Sequence, residues 1–465
     1  MQKRLVPLLF PILLVSLVGL IYLQESGNRT LRAAERAFQQ GDPGQAATLL
    51  ASLAPQRPTL WEQAGIYALQ AGDPLTAQQY LQQAQTAGVL TGAGYLILGD
   101  LYLEQDAPPT ALATWEEALV QGAPALDVYH RLFAAHRAAN NIPSAIETLR
   151  HILALTPQDA QATYQMGLLL TTRDPATALT YLLQAAELDE TLSEKVRLLQ
   201  NSYRPSEETD DPAYTFVNVG QALAALGEWA LAREAFVQAV ETNPDYAEAW
   251  AFLGEAKSQL GEDGLVELDT ALNLNPGSLT ANMLYALYQK RQGHFELALI
   301  YLHAADTLDP GNPAIQVELG STLNEMGNFN QALAYFQKAT ALAPREALYW
   351  HLLAQFSFQN NTLIEEVGLA AAREALLLDD QDPVALDLMG FGYYLLNEMS
   401  TAQRFLLQAV ALTPDDPHPW YHLGLVSLWL GDTQQAYDHL TRAVSLAPSS
   451  SIAEQAQRVL MRYFP

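Results

Sequence analysis

Small residues recur along this chain at a nearly constant interval. Glycine or alanine stands at Gly220, Gly254, Ala286, Gly320, Ala354, Gly390 and Gly424, in steps of 34, 32, 34, 34, 36 and 34 residues. Alanine keeps step at Ala239, Ala271, Ala305, Ala339, Ala375, Ala409 and Ala443, and proline closes most units at Pro244, Pro276, Pro310, Pro344, Pro414 and Pro448. A repeat of about 20–50 residues means a stack of like supersecondary units, none of which buries its apolar face alone. Any single residue must therefore be read first as a position in a unit and only then as chemistry.

The unit between Pro313 and Pro344 shows how each is built. Leu319, Gly320 and Leu323 share one face of a first helix, and Ala332, Phe336 and Ala339 share one face of a second. Gly327-Asn328 is the turn between them, and Pro344 ends the second helix. Two helices approach closely only where Gly or Ala sits at their crossing, and Phe336 fills the space towards the next unit. The composition agrees: 49% of residues are apolar but only 16% are charged, against about a quarter in an average domain. Alanine, leucine and glutamine take the place of charge, which suits helices packed on two sides.

This pattern resembles the tetratricopeptide repeat, a helix-turn-helix with a W…LG…Y…A…F…A…P signature. Phe216, Val219, Gly220, Leu223, Ala232, Phe236, Ala239 and Pro244 match it; so do Met389, Gly390, Tyr393, Ala402, Leu406, Ala409 and Pro414. Trp420, Leu423, Gly424, Ala436, Leu440, Ala443 and Pro448 make a third match. The unit closing at Pro276 is two residues short and the one spanning Asn360 to Ala375 two long, both changes falling near the inter-helix turn. The N-terminal half is more degenerate. Trp61, Gly65, Ala77 and Leu81 mark one unit; Gly99, Tyr102, Ala111 and Trp115 the next; Tyr129, Leu132, Ala145 and Leu149 another; Gly167, Ala178 and Leu182 another. The resemblance implies an all-α, right-handed superhelical solenoid of about twelve helix-turn-helix repeats.

The register breaks once. A helical stretch at Leu192 to Leu199 is followed by Tyr203-Arg204-Pro205-Ser206-Glu207-Glu208-Thr209-Asp210-Asp211-Pro212, which reads as an acidic linker. The expected division is a degenerate repeat block over 25–190, a helical insert and linker over 191–212, a second repeat block over 213–448 and a capping helix over 449–465. Before them, an apolar run from Leu5 to Leu23 follows Lys3 and Arg4. Its 19 residues are long enough to cross a hydrocarbon layer of about 30 Å as a helix. A cleaved signal peptide competes, but Ile21, Tyr22 and Leu23 are bulky where cleavage needs small side chains. The expectation is a transmembrane anchor over 1–24 with the array outside the cytoplasm, a cytoplasmic-facing array being the alternative.

Charge and motif searches exclude much else. The formal net charge of −27 repels phosphate backbones, so no nucleic acid is expected as partner. There is no cysteine, hence no disulfide, thiolate metal site or cysteine nucleophile. No P-loop, H-E-x-x-H, G-x-S-x-G or EF-hand pattern occurs. His418 and His422 share a helical face at a spacing of four, without a third ligand to complete a metal site. No catalytic, cofactor or metal residue is assigned, and no enzymatic activity is expected.

What remains is a partner surface. The resemblance implies that first helices line a concave face at the second, fifth, ninth and twelfth positions of each unit. In the last three units these are His351, Gln355 and Phe358; Asp387, Phe391 and Tyr394; and His418, Tyr421, Leu425 and Leu428. So many large side chains outside the packing positions mark either a contact groove or self-packing against one another and the capping helix. The basic residues that grip a peptide carboxylate in some members of the family have only Lys290, Arg291 and Asn324 as counterparts, with acidic Glu248, Glu255 and Asp387 beside them. The expected function is a membrane-anchored scaffold that binds partner proteins or peptides, at a bacterial envelope. The alternative is an accessory module of an envelope polysaccharide or glycolipid machine, with the aromatics stacking on sugars.

Overall fold

The computed structural model describes residues 27–203 and 211–464. Among them every regular element is helical and no strand occurs. The chain divides into two compact units, 1–203 and 204–465. The first holds five helical hairpins, from the helix over 27–39 paired with Pro43–Leu53 to the pair Ala160–Leu170 and Pro175–Leu188. A single helix, Ser193–Ser202, ends it. The second holds seven hairpins, from Pro212–Ala225 with Trp229–Thr242 to Pro417–Leu430 with Thr433–Leu446, and ends on the single helix Ser451–Tyr463. Each unit is a solenoid-like stack of repeats.

Local chemistry accounts for the helix ends. Asn312 caps Pro313–Glu325 by accepting the Ala314 N–H at 3.0 Å, and Asp382 caps Pro383–Leu395 by accepting the N–H groups of Val384 and Ala385 at 2.9 and 3.1 Å. Proline follows each cap at the first helical position, where its missing N–H costs nothing. The hairpin turn then needs a left-handed residue, and Gly327 supplies it at φ 76°. Asp211 and Pro212 perform the same cap-and-start on Pro212–Ala225, so the second unit begins inside the acidic segment; residues 204–210 lie outside the described ones.

The repeating small residues have the steric role that their spacing predicts. A Cβ added at Gly390 would meet Leu406 Cγ at 2.5 Å, and one at Gly424 would meet Leu440 Cγ at 2.6 Å. The large residue of the second helix thus seats itself on the glycine of the first. Phe336 lies against Gly320 in this way and then meets Phe356 of the following hairpin, the ring centroids 4.9 Å apart. Tryptophan adds a second link between hairpins. The indole N–H groups of Trp250, Trp350 and Trp420 donate to the carbonyls of Pro244, Pro344 and Pro414 at 2.7, 3.0 and 2.9 Å. Each bond ties a first helix to the proline that closed the preceding unit.

Both irregular intervals are absorbed at the turn. The longer unit gains a π-helical stretch, Ile364–Leu369, entered through Leu363 at φ 47°. The shorter one has a second helix of only ten residues, Leu265–Leu274, where its neighbours have fourteen. At the C-terminal end, Ile452, Ala453 and Ala456 of Ser451–Tyr463 are buried, and Ala456 packs with Leu440 and Ala443. That helix covers the face the last hairpin would otherwise expose.

The single-pass membrane placement is corrected. The helices of the repeats run to 14 residues, about 21 Å at 1.5 Å per residue, and a hydrocarbon core is about 30 Å thick. Among the described residues no helix is long and apolar enough to cross a membrane. The run over 5–23 on which the anchor rested lies outside the described residues, and nothing else supports an array held on either side of a bilayer.

Candidate partner-binding groove

Three first helices of the second unit contribute to one trough: Pro383–Leu395, Pro417–Leu430, and Ser451–Tyr463, which takes the place of a further first helix. Asp387, Phe391 and Tyr394 come from the first; His418, Tyr421 and Leu425 from the second; Ser451, Ile452 and Gln455 from the third. Gln355 and Phe358 from Ala347–Gln359 line the remaining side, and the volume of this open trough is about 560 Å³. Eight of the ten residues picked out by repeat position thus line one cavity.

The other two sit elsewhere. The His351 ring donates from Nε2 to Asp382 Oδ2 at 2.7 Å and does not line the cavity. Asp382 therefore caps one helix and holds the preceding one. Leu428 lines a second cavity of about 540 Å³ with Trp429, Val459 and Tyr463. Tyr394 and Leu425 belong to both cavities, so the trough is continuous from Asp387 to Tyr463.

Its floor is an aromatic column. Phe391 stacks on His422 at 4.2 Å between centroids, meets Tyr394 at 6.0 Å, and takes Phe358 edge-on at 6.1 Å. Phe358 is only 3% exposed, because its ring occupies the space opened by Gly368 and Gly392; a Cβ on Gly392 would meet its Cζ at 2.7 Å. It is a packing residue at the base of the trough. Phe391, Tyr394 and Tyr421 are half-buried and keep surface towards the opening. Self-packing and an open trough therefore coexist, divided residue by residue.

The polar groups are concentrated at one end. His422 Nδ1 donates to Asp387 Oδ1 at 2.7 Å, with both side chains almost buried. His418 Nδ1 donates to Asp416 Oδ1 at 2.8 Å near the rim. That hydrogen bond holds the Asp416 carboxyl below its usual range and raises the His418 ring above its own. The two imidazoles four residues apart thus go to different carboxylates. Among the described residues no cluster of three His, Cys, Asp or Glu side chains is placed to hold a metal ion. Burial pushes the phenols of Tyr394 and Tyr421 up, the latter against the nearby Arg458 guanidinium, so both remain neutral hydrogen-bond donors.

His422 is the residue that repeat-position reasoning overlooked. Its spacing to His418 drew attention only as a candidate metal pair, whereas its place beneath Phe391 comes from contacts with the preceding unit. The wall supplied by Ser451–Tyr463 was also illegible, because a capping helix has no repeat register from which to read an inward face. The amphipathic spacing of Ile452, Ala456 and Val459 did not separate Ile452 and Val459, which line the trough, from Ala456, which packs on the last hairpin.

The remaining inward basic residues are engaged. Lys290 Nζ donates to Glu318 at 2.9 Å and to Ser321 at 2.8 Å; Arg291 makes a two-pronged pair with Glu255 at 3.1 and 2.6 Å. Asn324 accepts the Asn360 amide at 2.9 Å, and Glu248 accepts the Ser278 hydroxyl at 2.9 Å. Lys290, Arg291 and Asn324 are thereby tied to neighbouring units.

Tetratricopeptide repeat models match residues 63–127, 216–256 and 289–356. No curated protein sequence matches the chain. Among solved structures, the crystal structure of the APC/C hetero-tetramer Cut9-Hcn1 is similar at 16% identity and a TM-score of 0.45, covering 94% of this chain and 97% of that one. Yeast Tom70 is similar at 13% identity and 0.44, covering 94% and 96%. A tetratricopeptide repeat protein from Parabacteroides merdae is similar at 14% identity and 0.44, covering 54% and 98%. None of these likenesses bears on what this chain binds.

Proposed function

We propose that this tetratricopeptide-repeat chain is a protein–protein interaction scaffold whose contact site is the trough over its last three hairpins, and that the trough takes an apolar, aromatic-bearing segment of a partner protein. The tetratricopeptide repeat fold implies scaffolding, since stacked hairpins present an extended binding surface. One observation supports this location. Phe391, Tyr394 and Tyr421 are half-buried around an open volume of about 560 Å³, although Leu388, Met389 and Leu423 already serve the packing. Aromatic rings that keep surface beside a concavity are the usual anchors of a protein contact.

The test is a selection from a phage-displayed random twelve-residue peptide library against the full chain, followed by affinity measurement on the winners. The Phe391→Ala/Tyr394→Ala double variant is expected to bind them at least tenfold more weakly, with its helical circular dichroism retained. Winners that bind the double variant as tightly as the parent chain would sink the assignment of the site.

A further inference from the structure

Resting on that reading of the trough, we propose that its occupant carries an Asp or Glu side chain next to its apolar anchor, held by Arg458 and Arg462 of the terminal helix. Ser451–Tyr463 then has two roles, covering the last hairpin and reading charge. The two arginines are four residues apart and therefore lie on one face of that helix, where two guanidinium groups can converge on one carboxylate. Both line the cavity shared by Tyr394, Leu425, Leu428 and Trp429. Among the described residues neither is in a salt bridge. Arg458 Nε donates to the Glu454 backbone carbonyl at 3.3 Å, and the Arg462 guanidinium lies over the Tyr463 ring at 5.4 Å. Each keeps N–H donors for a ligand.

The setting makes this pair informative. With a net charge of −27, the chain repels acidic segments at long range, so an acidic group can dock only where positive charge is gathered and unspent. Arg233, Lys257, Lys290 and Arg291 in the same unit are matched with Glu262, Glu267, Glu318 and Glu255. Among the described residues Arg458 and Arg462 form no ion pair, and they border an apolar concavity. Exposed apolar surface continues beside them at Trp429, 55% exposed, and Tyr463, 55% exposed. The opposite end of the trough holds the Asp387–His422 pair, which gives the occupant a fixed polarity: its acidic side chain lies at the arginine end. This recognition stands apart from the inward positions of the earlier units, where the basic residues are already paired.

The library selection described above tests this, because its peptides are fused at their C-terminus and can offer only side-chain carboxylates there. Winners are expected to carry Asp or Glu beside an aromatic or leucine. Replacing that Glu by Gln in a synthetic winner should weaken binding to the parent chain about tenfold. The Arg458→Gln/Arg462→Gln chain should bind the Glu and Gln peptides equally, and Arg458→Glu/Arg462→Glu should favour a Lys version. Both positions are exposed, so the thermal melt of these variants should match that of the parent chain. Winners without acidic enrichment, or a Glu-to-Gln penalty that survives in the Arg458→Gln/Arg462→Gln chain, would overturn the charge reading and leave the trough itself standing. Winners insensitive to Phe391→Ala/Tyr394→Ala would overturn the trough, and an empty selection would overturn both.

Discussion

The first helices Ala247–Gln259, Leu279–Arg291 and Pro313–Glu325 and the first helices Pro383–Leu395 and Pro417–Leu430 occupy equivalent places in one stack, yet they treat the positions outside the packing code in opposite ways. In the earlier set, Glu255 reaches Arg291 and Lys290 reaches Glu318 and Ser321, so charged groups are neutralised by the next hairpin. In the later set the positions of Glu255 and Lys290 hold Phe391, Tyr394 and Leu425, which with Tyr421 surround an opening, while Asp387 pairs with His422 of the next hairpin. The stacking frame is the same in both. Polar side chains of adjacent hairpins can satisfy one another across the step between units and so close the surface. Half-buried rings leave apolar area open even where, as with Phe391 on His422, they stack across that step.

Four perturbations would break or sharpen this contrast. The largest effect is expected at Phe358→Ala, which empties the floor of the later region; a cost of about 3–5 kcal/mol in urea unfolding follows from truncating a buried phenylalanine. Hydrogen exchange should then accelerate in 347–395 before it does so in 247–325, and a uniform acceleration would mean that the two regions are not separable.

Phe391→Ala/Tyr394→Ala comes next. These rings are half-buried, so about 2–3 kcal/mol of stability should be lost together with the tenfold loss of peptide binding. A stability loss with unchanged binding would make the later region a packed core like the earlier one.

Glu255→Gln tests the earlier region. It leaves Arg291 without its paired charge and should cost about 1–2 kcal/mol in the same unfolding measurement, with peptide binding unaltered. An accompanying loss of binding would show that the stitched surface also contacts the partner.

The smallest effect belongs to the rim pair of His418 and Asp416. The raised His418 ring contributes stability that is complete below its ordinary value of 6.5 and is lost as pH rises through the raised one. The depressed Asp416 contributes above its ordinary 3.8 and loses that share as pH falls through its lowered value. The pair therefore stabilises between the two limits, and solvent screening keeps its worth well under about 1 kcal/mol. His418→Gln should flatten the drop in melting temperature from pH 6 to pH 8; an unchanged slope would assign that drop to other groups.

Much of the frame was legible residue by residue. Gly390 and Gly424 announced close helix crossings, Leu406 and Leu440 their fillers, and the two irregular intervals announced local adjustments at the turns, one of which is the π-helical stretch Ile364–Leu369. The membrane placement failed because an apolar run is only a length and a composition, and no described helix has the span it required. The groove was partly legible, since repeat position nominates candidates but does not say which will be used up in packing. Phe358 went to the core and His351 to Asp382, each because of a partner in the neighbouring turn or hairpin.

By itself the sequence determined the hairpin, its period, its breaks and the side chains at each crossing, because these depend on sterics between residues within one or two helical elements. Tertiary structure decided which side chains stay available. Glu255 meets Arg291 and Asp387 meets His422 only when successive units are set at one particular offset, and the arginines of the terminal helix reach the trough only once Ile452 and Ala456 have settled that helix on the last hairpin. Short-range sterics can be read along a chain; the sharing of charge and apolar surface between residues some thirty positions apart depends on how the units stack.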